Sequence, residues 1–282
     1  MTVKPKKIGM SLIYHLFVLS FMFAMLYPLL WMLASSFKAP GEIFTNASSL
    51  IPSRLIFDNY RDGWRGFGNV SFATFFKNSI FVTVVSVIGQ VWMSTMVAYG
   101  FARLSFPGKK LFFVLMILTM LLPGQILLIP QYILFMNFGW INSYLPLIVP
   151  SYAGTPFFIF LIMQFIQGIP RELDESARID GCGKIQIFIR IIVPLALPAI
   201  ATATVFAFYW KWDDFMGPLL YLQNIKMYTV SIALKAFSDP SSVSNWGAMF
   251  AMSCLSLLPS FIIFVCFQKY LVEGIATTGL KG

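Results

Sequence analysis

LFFVLMILTMLLPGQILLIPQYILFMNFGWINSYLPLIVPSYAGTPFFIFLIMQFIQGIP, residues 111–170, runs for sixty residues without a Lys, Arg, Asp or Glu. A helix crosses a bilayer in about 20 mostly apolar residues, so this run is too long for one crossing and must turn within itself. Pro123-Gly124, Pro130 and the polar patch from Asn137 to Asn142 are the residues able to break it. The spacing predicts two spans, at 111–133 and 144–167, joined by NFGWINSY. The rest of the chain is equally apolar, 58% hydrophobic and only 11% charged, where a soluble domain carries roughly 25% charged residues.

Outward from this run, the same length rule finds spans at 11–33, 78–102, 198–221 and 246–268. The fold expected is an all-α polytopic membrane protein of six transmembrane helices, forming one domain over 1–282. Residues 38–77 are richer in Gly, Pro, Asp and Asn, and Tyr60, Trp64 and Phe67 suit a partly folded interfacial loop. The first apolar stretch is too long for a cleavable signal peptide. Six crossings put both termini on one side. The leader, the 103–110 loop, the 171–190 segment and the tail hold twelve basic residues, against seven in the two opposite loops. Positive residues favour the cytoplasm, so the termini and the 171–190 segment are expected there.

That segment is the longest polar interruption in the C-terminal half: Pro170–Pro198, PRELDESARIDGCGKIQIFIRIIVPLALP. Pro170 suits the first position of a helix, and Glu172, Asp174 and Glu175 suit the positive end of its dipole. Leu173, Ser176, Ala177 and Asp180 fall on one face, with small residues at its middle. Gly181 and Gly183 stop the helix, and Lys184 to Ile192 restart it. By its residues alone, such an element is either a docking helix for a cytosolic partner or a solvated amphipathic loop.

Glu175-Ser176-Ala177, then Asp180-Gly181, Phe188, Ile192, Pro194 and Pro198, resembles the EAA signature of ABC-importer permeases, with Ser176 at the first Ala and Val193 at the Leu of the following Ile-x-Leu-Pro element. The resemblance extends over the whole chain and is nearest to the MalG-like carbohydrate permeases. Pro28-Leu29-Leu30-Trp31, Ser36-Phe37-Lys38, Asn59-Tyr60, Asn78-Ser79, Pro130-Gln131-Tyr132, Gly139-Trp140-Ile141-Asn142, Val272-Glu273-Gly274 and Lys281-Gly282 carry it by their order. It implies a type I importer permease fold in a bacterial or archaeal cytoplasmic membrane, with a coupling segment at 170–194 that seats in a cleft of an ATPase subunit. Glu172, Glu175, Ser176, Ala177, Arg178, Asp180, Gly181 and Phe188 would form that coupling element. The implied partners are a second homologous permease, two ATPase subunits and an extracytoplasmic solute-binding protein. ATP and Mg would be bound by the ATPase, with no cofactor in this chain.

A second polar cluster, Trp210, Lys211, Trp212, Asp213, Asp214 and Phe215, falls inside the fifth span. Ionisable groups at membrane depth face a cavity or one another, and Lys211 and Asp214 are placed to pair at i, i+3. Aromatic rings beside polar groups suit a carbohydrate, whose C–H faces stack on rings. The cluster is therefore either pathway lining or an interfacial belt. Gln131, with Gln90, Gln125 and Gln164, is either pathway lining or an interhelical hydrogen-bonding group.

Enzymatic chemistry finds no footing. No G-x-x-x-x-G-K-[ST] frame occurs, Cys182, Cys254 and Cys266 lack metal-ligand spacing, and the lone His15 sits in an apolar run. Basic residues scattered between apolar spans speak for loops rather than nucleic acid. The expected function is half of an ATP-driven pathway for a sugar or oligosaccharide. The alternatives are a non-sugar solute such as a glycerophosphate, an ion-coupled secondary transporter using Asp213 and Asp214, or a membrane scaffold.

Overall fold

The computed structural model describes residues 5–237 and 245–279. Asp239-Pro240, expected in the loop before the last span, and the closing Lys281-Gly282 lie outside them. In chain order the helices are α1 (Pro5–Ser35), α2 (Glu42–Thr45), α3 (Asp58–Arg65), α4 (Phe72–Arg103) and α5 (Lys109–Met120). Next come α6 (Gly124–Asn137), α7 (Leu145–Ile148), α8 (Pro156–Gln167), α9 (Glu172–Ile179) and α10 (Lys184–Ile187). The last are α11 (Val193–Leu195), α12 (Leu197–Trp212), α13 (Met216–Tyr221), α14 (Val230–Phe237) and α15 (Trp246–Gly279).

Among the described residues, four stretches are long and apolar enough to cross a membrane singly: Ile13–Ser35, Phe72–Arg103, Leu145–Gln167 and Trp246–Tyr270. Two bent pairs raise the number to six, α5 with α6 at 100° and Lys184–Leu195 with α12 at 76°. The expected third span at 111–133 is thus not one straight helix. Pro123 holds extended backbone (ψ 126°) between α5 and α6, and a proline disfavours helical geometry in the residue before it. The fifth expected span also ends early, at Trp212, because the Asp214 carboxylate accepts the Gly217 N–H at 3.0 Å and opens the separate turn α13.

The chain forms two compact units, residues 1–72 with 234–257 and residues 73–233 with 258–282. In the first, the apolar run of α1 buries none of its described side chains until the last turn, where Ser35 is buried; there the Trp31 ring meets Phe250 edge-on at 5.2 Å. The loop after α1 is ordered by polar clamps. Lys38 is fully buried, and its ammonium donates to the carbonyls of Asn46 (2.9 Å) and Ser49 (2.6 Å). Asn59 donates to the carbonyls of Ser36 and Lys38. The Ser53 hydroxyl and N–H both donate to Glu42, and these bonds hold its carboxyl below the usual range.

The second unit is built along α4. Ser79, Thr83, Ser86, Gln90 and Ser94 are all buried, and their spacing of three or four puts them on one face. Small and hydroxyl-bearing residues let helices approach closely within a membrane and bond across the gap. Ser86 donates to Leu147 O, Gln90 donates to the Thr155 hydroxyl, and the Ser94 hydroxyl accepts the Thr155 N–H. Gly89 is the closest approach: a Cβ there would stand 2.5–2.6 Å from the Tyr152 ring. At one end of α4, Asn78 donates to the carbonyls of Lys226 and Tyr228, and Ser79 accepts the Val230 N–H. Nearby, Val82, Phe135, Leu147, Tyr221 and Leu222 form an aromatic-rich core.

Candidate functional site

The other end of α4 carries the polar segment. From Ser79 to Arg103 the helix rises about 36 Å at 1.5 Å per residue, more than the roughly 30 Å hydrocarbon core, so its two ends serve opposite faces of a bilayer. Three attachments gather on its last two turns. Arg103 Nε lies 3.1 Å from an Asp174 carboxylate oxygen, with the two side chains only 2% and 5% exposed. The same guanidinium donates to Ile169 O at 2.6 Å. The Tyr99 hydroxyl donates to Lys184 O at 3.1 Å. Phe188 then packs beside the rings of Tyr99 (5.1 Å) and Trp92 (5.8 Å).

Local sequence explains the element held there. Pro170 was expected to open the helix, yet α9 begins at Glu172, with Arg171 O accepting the N–H groups of Asp174 and Glu175. Gly181 has φ +83°, and around it the Cys182 N–H donates to Ala177 O and the Gly181 N–H to Arg178 O. This is a Schellman close, which needs a left-handed residue at that point. A Cβ on Gly181 would meet nothing within 4 Å, so the glycine serves backbone conformation rather than packing. Beyond it, Gln186 accepts the Gly183 N–H, α10 begins, and a π-helical stretch at Phe188–Ile192 leads into α11.

The expected coupling residues separate into two faces. Ala177 and Phe188 are buried, with Asp174 and Ile187, against the chain itself. Glu172, Glu175, Ser176, Arg178, Asp180 and Gly181 are exposed. The small-residue face anticipated from Leu173, Ser176, Ala177 and Asp180 is therefore divided, because Ala177 turns inward beside Asp174. Two apolar residues that sequence reasoning passed over, Ile179 at 87% and Ile185 at 73%, stand out on the exposed side.

The second cluster is divided in the same way. Trp210 is half exposed and stacks on Phe158 at 5.1 Å, while Trp212 is buried, stacked on Phe208 at 5.8 Å and near Phe76. Asp213 is exposed. The Lys211–Asp214 ion pair is absent from the salt bridges among the described residues: Lys211 Nζ donates to Leu147 O at 3.0 Å, and Asp214 spends an oxygen on Gly217. Leu147 O thus accepts from both Lys211 and Ser86, which satisfies a carbonyl near the point where the helix between α7 and α8 tightens. Gln90 is buried on α4, whereas Gln125, Gln131 and Gln164 are exposed. No cluster of metal-ligating side chains occurs among the described residues.

Comparison with known proteins agrees with this architecture. Residues 90–277 match the family model of the binding-protein-dependent transport system inner membrane component. The probable ABC transporter permease protein YurM of Bacillus subtilis is 34% identical over 94% of this chain and 87% of its own. The arabinooligosaccharides transport system permease protein AraQ of Halalkalibacterium halodurans is 32% identical over 92% of each chain. A chain from the crystal structure of a bacterial ABC transporter that imports the acidic polysaccharide alginate superposes with a TM-score of 0.83, at 21% identity, covering 96% of this chain and 99% of that one. The chain belongs to the binding-protein-dependent transport system inner membrane components, and is a permease of an ABC importer rather than an enzyme.

Proposed function

We propose that the chain forms half of the translocation pathway for a sugar or oligosaccharide, and that separate ATPase subunits, holding ATP and Mg, drive it by docking on the exposed face of α9. The observation that carries this reading is the two-faced character of α9, anchored inward to α4 and bare outward. Glu172, Glu175, Ser176, Arg178, Asp180 and Gly181 would meet the ATPase, with Ile179 and Ile185 as apolar contacts. Ala177 and Phe188 would hold the element in place. The twelve-to-seven excess of basic residues supports a cytoplasmic position for this segment and for both termini. A second homologous permease and an extracytoplasmic solute-binding protein complete the assembly; one solved alginate transporter of this fold is in complex with a periplasmic protein.

A carbohydrate substrate is supported by relatives named for arabinooligosaccharides, diacetylchitobiose and galactooligosaccharides. Trp210, Asp213 and Gln131 are the members of the polar set that would face the pathway, while Lys211, Trp212 and Asp214 would hold the surrounding backbone. The test is Glu175→Lys combined with Gly181→Trp in the complete transporter. Loss of ATPase co-purification and of solute-stimulated hydrolysis is expected, and undiminished assembly and coupling would refute the docking assignment. Stimulation by oligosaccharides but not by glycerophosphates is expected of the same complex.

A further inference from the structure

Arg103 reaches residues on both sides of the Pro170-Arg171 corner: it donates to Ile169 O just after α8 and forms an ion pair with the Asp174 carboxylate within α9. An isolated helix of eight residues is far too short to be stable in water, so the direction of α9 is set by what its inner face touches. Of the two buried residues of α9, Asp174 and Ala177, Asp174 carries a charge, and its ion-pair partner is the last residue of α4. Two features distinguish this pair from passive packing. Among the described residues, buried Asp174 Oδ1 accepts no hydrogen bond, and the Arg103 Nε–H does not aim at the carboxylate it neighbours. The ions are thus held together with an acceptor and a donor still unused, and a small tilt of α9 changes their alignment without separating them.

We propose that the Arg103–Asp174 pair is the link through which movement of α9 reaches α4, making both residues positioning residues for energy coupling. The inference rests on the reading of α9 as the ATPase dock. A push on the bare outer face is delivered to the pair, and α4, bonded along its buried polar face to the 147–155 segment, carries it across the membrane. Alternation of the pathway then depends on a contact that touches neither ATP nor solute.

The experiment uses the complete transporter reconstituted in liposomes, with Asp174→Asn, Arg103→Gln and the double variant. Retained ATPase subunits and solute transported per ATP hydrolysed are measured together. Each single variant is expected to keep its ATPase subunits yet lose transport per ATP by about tenfold, and the double variant is expected to be no worse than the poorer single. A purely structural role would lower the yield of complex and leave transport per ATP unchanged, overturning the proposal. Multiplying losses in the double variant would overturn it too. Should the neutral variants fail to accumulate, Arg103→Lys, which keeps the charge but lacks the guanidinium fork, carries the same measurement; an unchanged ratio there refutes the link. If Glu175→Lys with Gly181→Trp leaves docking intact, the docking assignment fails by itself. If that variant abolishes docking while Asp174→Asn keeps full coupling, only the link fails.

Discussion

Arg103 and Lys211 are two basic side chains drawn into the same unit, and they differ in what receives them. Arg103 is received by a buried carboxylate on another helix; Lys211 is received by a neutral backbone carbonyl that a serine also serves. The first arrangement is mutually dependent, because removing either ion leaves the other stranded in a low-dielectric setting. The second is not: without Lys211, Leu147 O keeps its Ser86 donor, and Asp214 keeps its bond to Gly217. The contrast separates a contact that must persist through motion from one that completes the backbone of a broken helix.

Asp174→Ala should therefore have the largest effect. It leaves Arg103 buried with only Ile169 O, and breaking a buried pair in this way costs about 3–5 kcal/mol. Thermal unfolding in detergent would register a large loss of stability. A loss of under about 1 kcal/mol would mean that water reaches Arg103 freely, and the distinction between the two basic residues would fall. Arg103→Leu with Asp174→Leu removes both ions together, so stability should recover most of the loss while coupling does not.

Some of this was legible in the sequence and some was not, for physical reasons. Apolar length and the scarcity of charge were enough for an all-helical membrane protein, since a bilayer leaves few alternatives. Pro123 was visible as a breaker, but the 100° bend between α5 and α6 was not, because a proline marks a change of direction without fixing its angle. Gly181 could be placed at a helix stop from its type alone. Arg103 and Asp174 were both visible, yet each had a sufficient local meaning, one as a positive loop residue and the other as a charge near a helix start. Nothing local signals that residues so far apart in sequence pair in a buried site. Lys211 and Asp214 erred the opposite way: their i, i+3 spacing suggested a pair, while the carbonyl of Leu147, which no sequence pattern marks, took the lysine instead.

Two smaller substitutions sharpen the contrast at the Lys211 end. Lys211→Met gives up one charge-assisted bond but also removes a cation from a partly buried position, so the two terms oppose each other. A net change within about 1 kcal/mol is expected, read by the same unfolding measurement. A loss as large as that of Asp174→Ala would show that Asp214, not the carbonyl, is the true counterpart of Lys211, and the two sites would become alike. Ser86→Ala should have the smallest effect of all. It removes one interhelical bond, worth about 0.6 kcal/mol inside a membrane, and Lys211 still serves the same carbonyl. The informative step is to combine the two. With both donors gone, Leu147 O has lost both the bonds it accepts from other helices, so the double variant should lose more than the two single losses added together. Simple additivity would mean that the donors do not back each other up, and that the tolerance of this end of the unit has another origin.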